Sequence, residues 1–259
     1  MLLDKDDLMN RIIENPDDDS VRLYYASAIQ KVDSDLSEFI RYSISLSRIG
    51  CEHPDYFRIA HRVSKLVPEQ RVRVLVGWPE EVANSLKFID FNRGFVELLT
   101  ISASNLLNHA QKLFSLAPIR HLNILEAKKY LPEIASQPWL RRIRSLSISQ
   151  CGLDDQDIAT FLNSSDLHEL CWLNLSYNQI GVDGIRNMID SKSVPKLRHV
   201  NLSGNLVDPC EHLCYDQAVL ADWGLPPEGE QLEQQYGHIS WLHKLDPSGN
   251  PREDDRFSV

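Results

Sequence analysis

Apolar residues in the middle of the chain recur at a fixed interval. Leu170, Leu173, Leu175 and Ile180 surround Asn178 in the pattern Leu-x-x-Leu-x-Leu-x-x-Asn-x-Ile, and Leu197, Val200, Leu202, Asn205 and Val207 repeat it 27 residues later. The same interval upstream reaches Ile143, Leu146, Ile148, Cys151 and Leu153, with cysteine at the asparagine position. Further upstream the pattern weakens to Ile119, Leu122, Ile124 and Ala127, then to Val96, Leu99, Ile101, Ser104 and Leu106, at spacings of 24 and 23. Within each copy the apolar residues two apart predict a short strand with one buried face. The second half of each copy, as in Ile158, Phe161 and Leu162 or Ile185, Met188 and Ile189, has helical spacing.

This spacing matches the leucine-rich-repeat pattern, in which the asparagine position accepts cysteine. One strand-helix unit cannot bury its apolar face alone, so neighbouring units are expected to stack. The predicted fold is α/β: a leucine-rich-repeat solenoid of about five strand-helix repeats with a parallel sheet, over residues 91–207. Open ends of such a stack expose apolar strand edges, so flanking segments are expected to cap it. Residues 1–90 are predicted to form an all-helical N-terminal domain, 208–245 a C-terminal cap, and 246–259 a polar tail.

The N-terminal segment shows helical spacing at Leu8, Ile12 and Ile13, at Val21, Leu23, Tyr24 and Ala28, and at Leu36, Phe39, Ile40 and Ile44. Asn15-Pro16 breaks the first helix, and Asp19 or Ser20 is the expected N-cap of the second. The Asp17-Asp18-Asp19 run then supports a helix N-terminus, since the ligand spacing of a calcium loop is absent. A further helix is predicted from about Asp55 to Val76, ended by Trp78-Pro79.

The segment Asn15-Pro-Asp-Asp-Asp-Ser-Val-Arg-Leu-Tyr-Tyr-Ala26, with Glu38-Phe-Ile-Arg41 downstream, resembles the bacterial repeat-companion domain, whose members often precede leucine-rich repeats. Phe91-Asn-Arg-Gly-Phe-Val-Glu97 and Leu116-Ala-Pro-Ile-Arg-His-Leu122 are similar to segments leading into those repeats. Ser27-Ala28-Ile29 departs from the family's Asp-Trp-Leu at that point. The resemblance implies a helical domain followed by repeats, and brings no established catalytic activity with it.

Composition narrows the function. With 37 acidic against 27 basic residues the formal charge is −10, which disfavours nucleic acid and acidic membrane surfaces as partners. The charged N-terminus and the lack of a long apolar run predict a cytoplasmic protein. The five cysteines lack paired zinc spacing, and Cys210, His212 and Cys214 form too small a set for a metal site. No phosphate loop, dinucleotide fingerprint, zinc-protease helix or nucleophile elbow is present, and no cofactor is expected.

Binding is the better-supported expectation. Strand residues facing away from the core form three rows: Leu98, His121, Ser145, Trp172 and His199; Thr100, Asn123, Ser147, Asn174 and Asn201; Ser102, Leu125, Ser149, Ser176 and Ser203. Trp172, His121, His199, Asn174, Asn201, Asn123 and Ser147 are the expected partner-binding residues, with the indole as anchor. The expected function is a non-catalytic scaffold or adaptor for another protein, monomeric when free. The alternative is a regulatory switch, or an inhibitor of a protease or transcription factor, controlled by cleavage or masking. An enzyme whose site assembles only in space ranks behind both.

Overall fold

The computed structural model describes residues 4–164, 166–209 and 227–242. The chain is a mixed α/β protein in which, among the described residues, six strands form an open, mostly parallel sheet ordered as in the sequence. It divides into two compact units, Met1–His121 and Leu122–Val259.

In the first unit, α1 (Lys5–Glu14), α2 (Asp19–Ile29) and α3 (Ser34–Arg48) each start behind an aspartate. The Asp4, Asp18 and Asp33 carboxylates accept backbone N–H groups of the first turn, which no helical carbonyl can reach. The cap of α2 is thus Asp18, one or two residues earlier than expected, because its side chain reaches Ser20 N at 2.9 Å. Leu8, Ile12, Tyr25, Ala26, Ile29, Ile40 and Ile44 meet in one core with Phe95. Each such aliphatic side chain contributes about 1.5–3 kcal/mol on burial. The long helix α4 (Tyr56–Gly77) and the short α5 (Glu80–Ser85) follow.

The chain next forms a hairpin that the repeat pattern did not anticipate. Strand β1 (Leu86–Asn92), which begins inside the segment expected to be helical, pairs antiparallel with β2 (Phe95–Ser102). Arg93 and Gly94 both have positive φ, 48° and 84°, as a two-residue hairpin turn matched to strand twist requires. Glycine is needed there for a second reason: a Cβ on Gly94 would lie 2.6 Å from Ile40 Cα. Consequently the weakest of the five expected repeats has its strand in an antiparallel hairpin. Helix α6 (Ala103–Leu116) follows, capped by Ser102.

The second unit carries the regular part of the sheet. After β3 (His121–Leu125) come α7 (Leu131–Ala135), β4 (Ser145–Ser147), α8 (Asp155–Ser164), β5 (Trp172–Asn174), α9 (Val182–Asp190) and β6 (His199–Asn201). Parallel pairing places Leu146 beside Leu173 and Leu173 beside Val200, matching the 27-residue interval of the sequence. All three are buried, as are Ile148, Leu175 and Leu202 two residues on. Helices α8 and α9 pack side by side, helped by Gly181 and Gly184, whose lack of side chains leaves room for Asp155. The Asp155 carboxylate accepts the Gly181 N–H at 2.7 Å. Beyond β6, α10 (Pro227–Tyr236) and the turn Ser240–Leu242 bury Leu232, Ile239, Trp241 and Leu242, and that turn packs against β6. Cys210, His212 and Cys214, the part of the expected C-terminal cap over 210–226 and the tail from 246 lie outside the described residues.

Candidate functional site

The turns that follow the strands of the second unit are tied together by a hydrogen-bonded spine. Asn178 accepts the N–H groups of Cys151 and Leu153 on Oδ1 at 3.0 and 3.1 Å, and donates from Nδ2 to the Ile148 and Leu175 carbonyls at 2.9 Å. Asn205 accepts the Ile180 N–H at 3.0 Å and donates to Leu175 and Leu202 at 2.9 Å. Cys151 occupies the same place one coil earlier: its Sγ receives the Ala127 N–H at 3.5 Å and lies 3.8 Å from the Ile124 carbonyl. These side chains satisfy turn backbone groups that have no partner in a ladder, which is why an amide with both donor and acceptor suits the position.

A second periodic feature precedes the spine. Glu126, Gln150, Tyr177 and Gly204 have φ of 57°, 54°, 56° and 72°, one in each coil just before the spine residue. Left-handed backbone costs a residue with a Cβ about 1 kcal/mol, so of the four only Gly204 meets this geometry without strain.

On the side of the sheet opposite Leu146, Leu173 and Val200 lie Ser145, Ser147, Trp172, Asn174, His199 and Asn201 of β4 to β6, with Ser149, Ser176 and Ser203 two residues past the strands. None carries a formal charge, in a chain that is 25% charged. Pairing sets Trp172 between Ser145 and His199, and Asn174 between Ser147 and Asn201. Burial divides the rows. Ser145, Ser147, Ser176 and His199 are below a tenth exposed, while Trp172, Asn174, Asn201 and Ser203 are half-buried and reachable. His121, the last residue of the first unit, is buried, and Asn123 on β3 is half-buried.

The amides in the middle row are fixed by short local bonds. Asn174 accepts Ser176 N–H at 3.0 Å and donates to Ser147 Oγ at 3.3 Å. Asn201 Oδ1 accepts both the Ser203 N–H at 3.0 Å and its hydroxyl at 2.7 Å. These bonds fix the orientation of Asn201 while committing only its oxygen. Asn123 Oδ1 on β3 is buried with no hydrogen-bond partner among the described residues. An acceptor stripped of water and left unpaired costs about 1–3 kcal/mol.

A further cluster, invisible to the repeat search, lies in the first unit. Arg22, fully buried, donates to the Glu97 carboxylate at 2.7 Å, to the Pro16 carbonyl at 2.7 Å and to the Asn92 carbonyl at 3.3 Å. Arg93 and Arg120 pair with Asp17, and Arg93 also lies 3.5 Å from Glu97. Burial raises the Glu97 carboxyl above the usual carboxylate range despite the pull of Arg22, Arg93 and Arg120. Burial likewise lowers the Arg22 guanidinium, against the opposing effect of Glu97. Pro16, Asp17, Arg22, Asn92, Arg93 and Glu97 belong to the segments that carry the repeat-companion resemblance. Their arrangement ties the α1–α2 connection to the hairpin turn. A fully buried guanidinium held by the Pro16, Asn92 and Arg93 carbonyls and the Glu97 carboxylate offers no free valence for a ligand, so its role is structural.

Compared with known proteins, the chain matches no family model and no curated protein sequence. Among the described residues no helix is long and apolar enough to cross a membrane.

Proposed function

We propose that the chain is a non-catalytic protein-binding module, a leucine-rich-repeat scaffold or adaptor behind a helical domain of the bacterial repeat-companion type, that engages another protein through the outward strand face of its second unit. The observation that carries this reading is the translation of one hydrogen-bonding unit along the chain, from Cys151 to Asn178 to Asn205, with strands β4, β5 and β6 in parallel register. A stack organised in this way spends its apolar residues on one side of each strand and leaves the other side free to vary. On that side Trp172, half-buried beside neutral amides, supplies a large contact area with one donor, the chemistry of an interface anchor.

The test is affinity capture with the full chain and its Trp172→Ala variant. Loss of partner capture at an unchanged melting temperature is the expected result. Equal capture by both proteins removes this face as the binding site.

A further inference from the structure

Strands β4 to β6 are neutral on their outward side but not at their ends, and the sign of the charge there indicates the partner, an inference that rests on the protein-binding reading above. Three segments lead into these strands. The first brings Arg141, Arg142 and Arg144 and the third Lys192, Lys196 and Arg198, while the one between them brings Asp166 and Glu169. The strand starts thus carry six basic against two acidic side chains, in a chain whose formal charge is −10. Both acids have local partners, Asp166 in His168 and Glu169 in Lys196 at 2.6 Å. Arg141, Lys192, Lys196 and Arg198 are exposed, and Arg142 and Arg144 are half-buried. The opposite strand ends lead into helices whose first turns hold Asp155 and Asp157 in α8 and Asp183 in α9. Charge therefore changes sign from one end of the strands to the other.

Trp172 belongs to the basic end. It is the first residue of β5, set between Ser145 and His199, which directly follow Arg144 and Arg198. The backbone fixes this placement: the Arg144 carbonyl accepts the Cys171 and Trp172 N–H groups at 2.8 and 3.1 Å, and the Cys171 carbonyl accepts those of Arg198 and His199 at 2.9 and 3.1 Å. Two strand steps, about 10 Å, separate Arg144 from Arg198, so roughly three residues of extended chain span both.

We propose that the partner presents an acidic segment to this end of the sheet, with an apolar side chain resting on Trp172 and carboxylates on either side of it facing Arg144 and Arg198. A guanidinium pairs with a carboxylate through charge-assisted hydrogen bonds, stronger than neutral ones. Attraction toward the surplus of positive charge speeds the encounter and fades as salt screens it.

The experiment selects a random dodecapeptide library displayed on phage against the immobilised full chain and titrates the enriched peptides. The expected result is enrichment of Asp and Glu around an apolar residue relative to the starting library, with affinity falling at least about tenfold from about 0.05 to about 0.5 M salt. Arg198→Glu should weaken those peptides by at least about tenfold, and Arg186→Glu, an equal change of charge at an exposed position of α9, by less than about twofold. The salt series needs no variant and decides the charge if Arg198→Glu fails to fold. Enriched peptides that are neutral or basic, yet require Trp172, overturn the acidic partner and leave the binding face in place. Acidic peptides that Trp172→Ala still binds, or that both arginine variants weaken equally, reduce the effect to unspecific attraction and overturn the face itself. No enrichment at all overturns the proposal, as does capture of oligo-dT more tightly than any peptide and its loss with Arg198→Glu, which assigns the strand ends to nucleic acid.

Discussion

Asn205 repeats, 27 residues later, the hydrogen bonds of Asn178: each amide donates to the carbonyl three residues before it and to a carbonyl of the preceding coil, and each accepts a backbone N–H from that coil. The two side chains are therefore structural couplings between successive coils, and the energetic weight of the second unit concentrates on them. Asn178→Ala removes the side-chain partner of the Cys151 and Leu153 N–H groups and of the Ile148 carbonyl, while the Leu175 carbonyl keeps Asn205 Nδ2. The expected loss is about 3 kcal/mol, at the upper end for a single hydrogen-bonding side chain because several backbone groups are orphaned together. Urea unfolding followed by circular dichroism measures it. A loss below about 1 kcal/mol contradicts the coupling role.

Cys151 fills the same place with a weaker group. Its sulfur contacts, at 3.3, 3.5 and 3.8 Å, replace the 2.9–3.1 Å bonds made by the amide of Asn178. Cys151→Asn should therefore raise stability by about 0.5–1.5 kcal/mol, the net worth of a neutral hydrogen bond. A drop in melting temperature would indicate that the shorter 24-residue coil before it cannot admit the larger side chain.

The strained turns give predictions of opposite sign at two equivalent positions. Gln150 is exposed and has φ of 54°, so Gln150→Gly relieves a left-handed Cβ and should stabilise by up to about 1 kcal/mol. Gly204→Ala should destabilise, since φ is 72° and the added Cβ would lie 2.5 Å from Tyr177 Cδ1. Differential scanning calorimetry on the two variants checks both signs.

What the sequence made legible was whatever depends on local repetition. Leu146, Leu173 and Val200 could be placed side by side from spacing alone, because parallel coils of equal length keep equivalent residues adjacent. The hairpin was not legible: Val96, Leu99 and Ile101 alternate as any half-buried strand does, and nothing in that alternation distinguishes an antiparallel neighbour from a parallel one. Arg22 and Glu97 are 75 residues apart, so their pairing has no periodic signature. A weaker signal existed in Asn92-Arg93-Gly94, a turn tripeptide between two apolar runs. Outward-facing positions on the strands could be assigned by alternation, but alternation says nothing of cover, which is why Ser145 and His199 were assigned to an open face and are buried.

The buried pair yields a mutational and a pH prediction. Removing one partner strands the other charge in the core, so Arg22→Met should cost about 3–5 kcal/mol, while the double variant Arg22→Met, Glu97→Leu should recover much of it. Because burial raises the Glu97 carboxyl in the folded state, the folded chain holds that proton at pH values where the unfolded chain has released it. The contribution of this group to stability is thus greatest below the ordinary value of 4.5 and declines as pH rises from there toward the raised folded value. Glu97→Gln removes that slope, and the difference between the two melting-temperature profiles against pH reads it directly. A difference that grows in the reverse direction would mean that the three arginines outweigh burial at this carboxylate.

Trp172 and Leu173 are adjacent in sequence but face opposite sides of β5, and their substitutions should separate stability from binding. Leu173 is about 1% exposed and packs between Leu146 and Val200. Truncation to alanine opens a cavity in a close-packed row, with an expected loss of about 2–5 kcal/mol. Trp172 stands half-buried on the other face, where the space left by a missing indole fills with water and no buried polar group loses a partner to it. Trp172→Ala should therefore leave the melting temperature close to that of the parent while abolishing capture. If both substitutions lower the melting temperature equally, the indole is part of the core and the partner site must be sought on another surface.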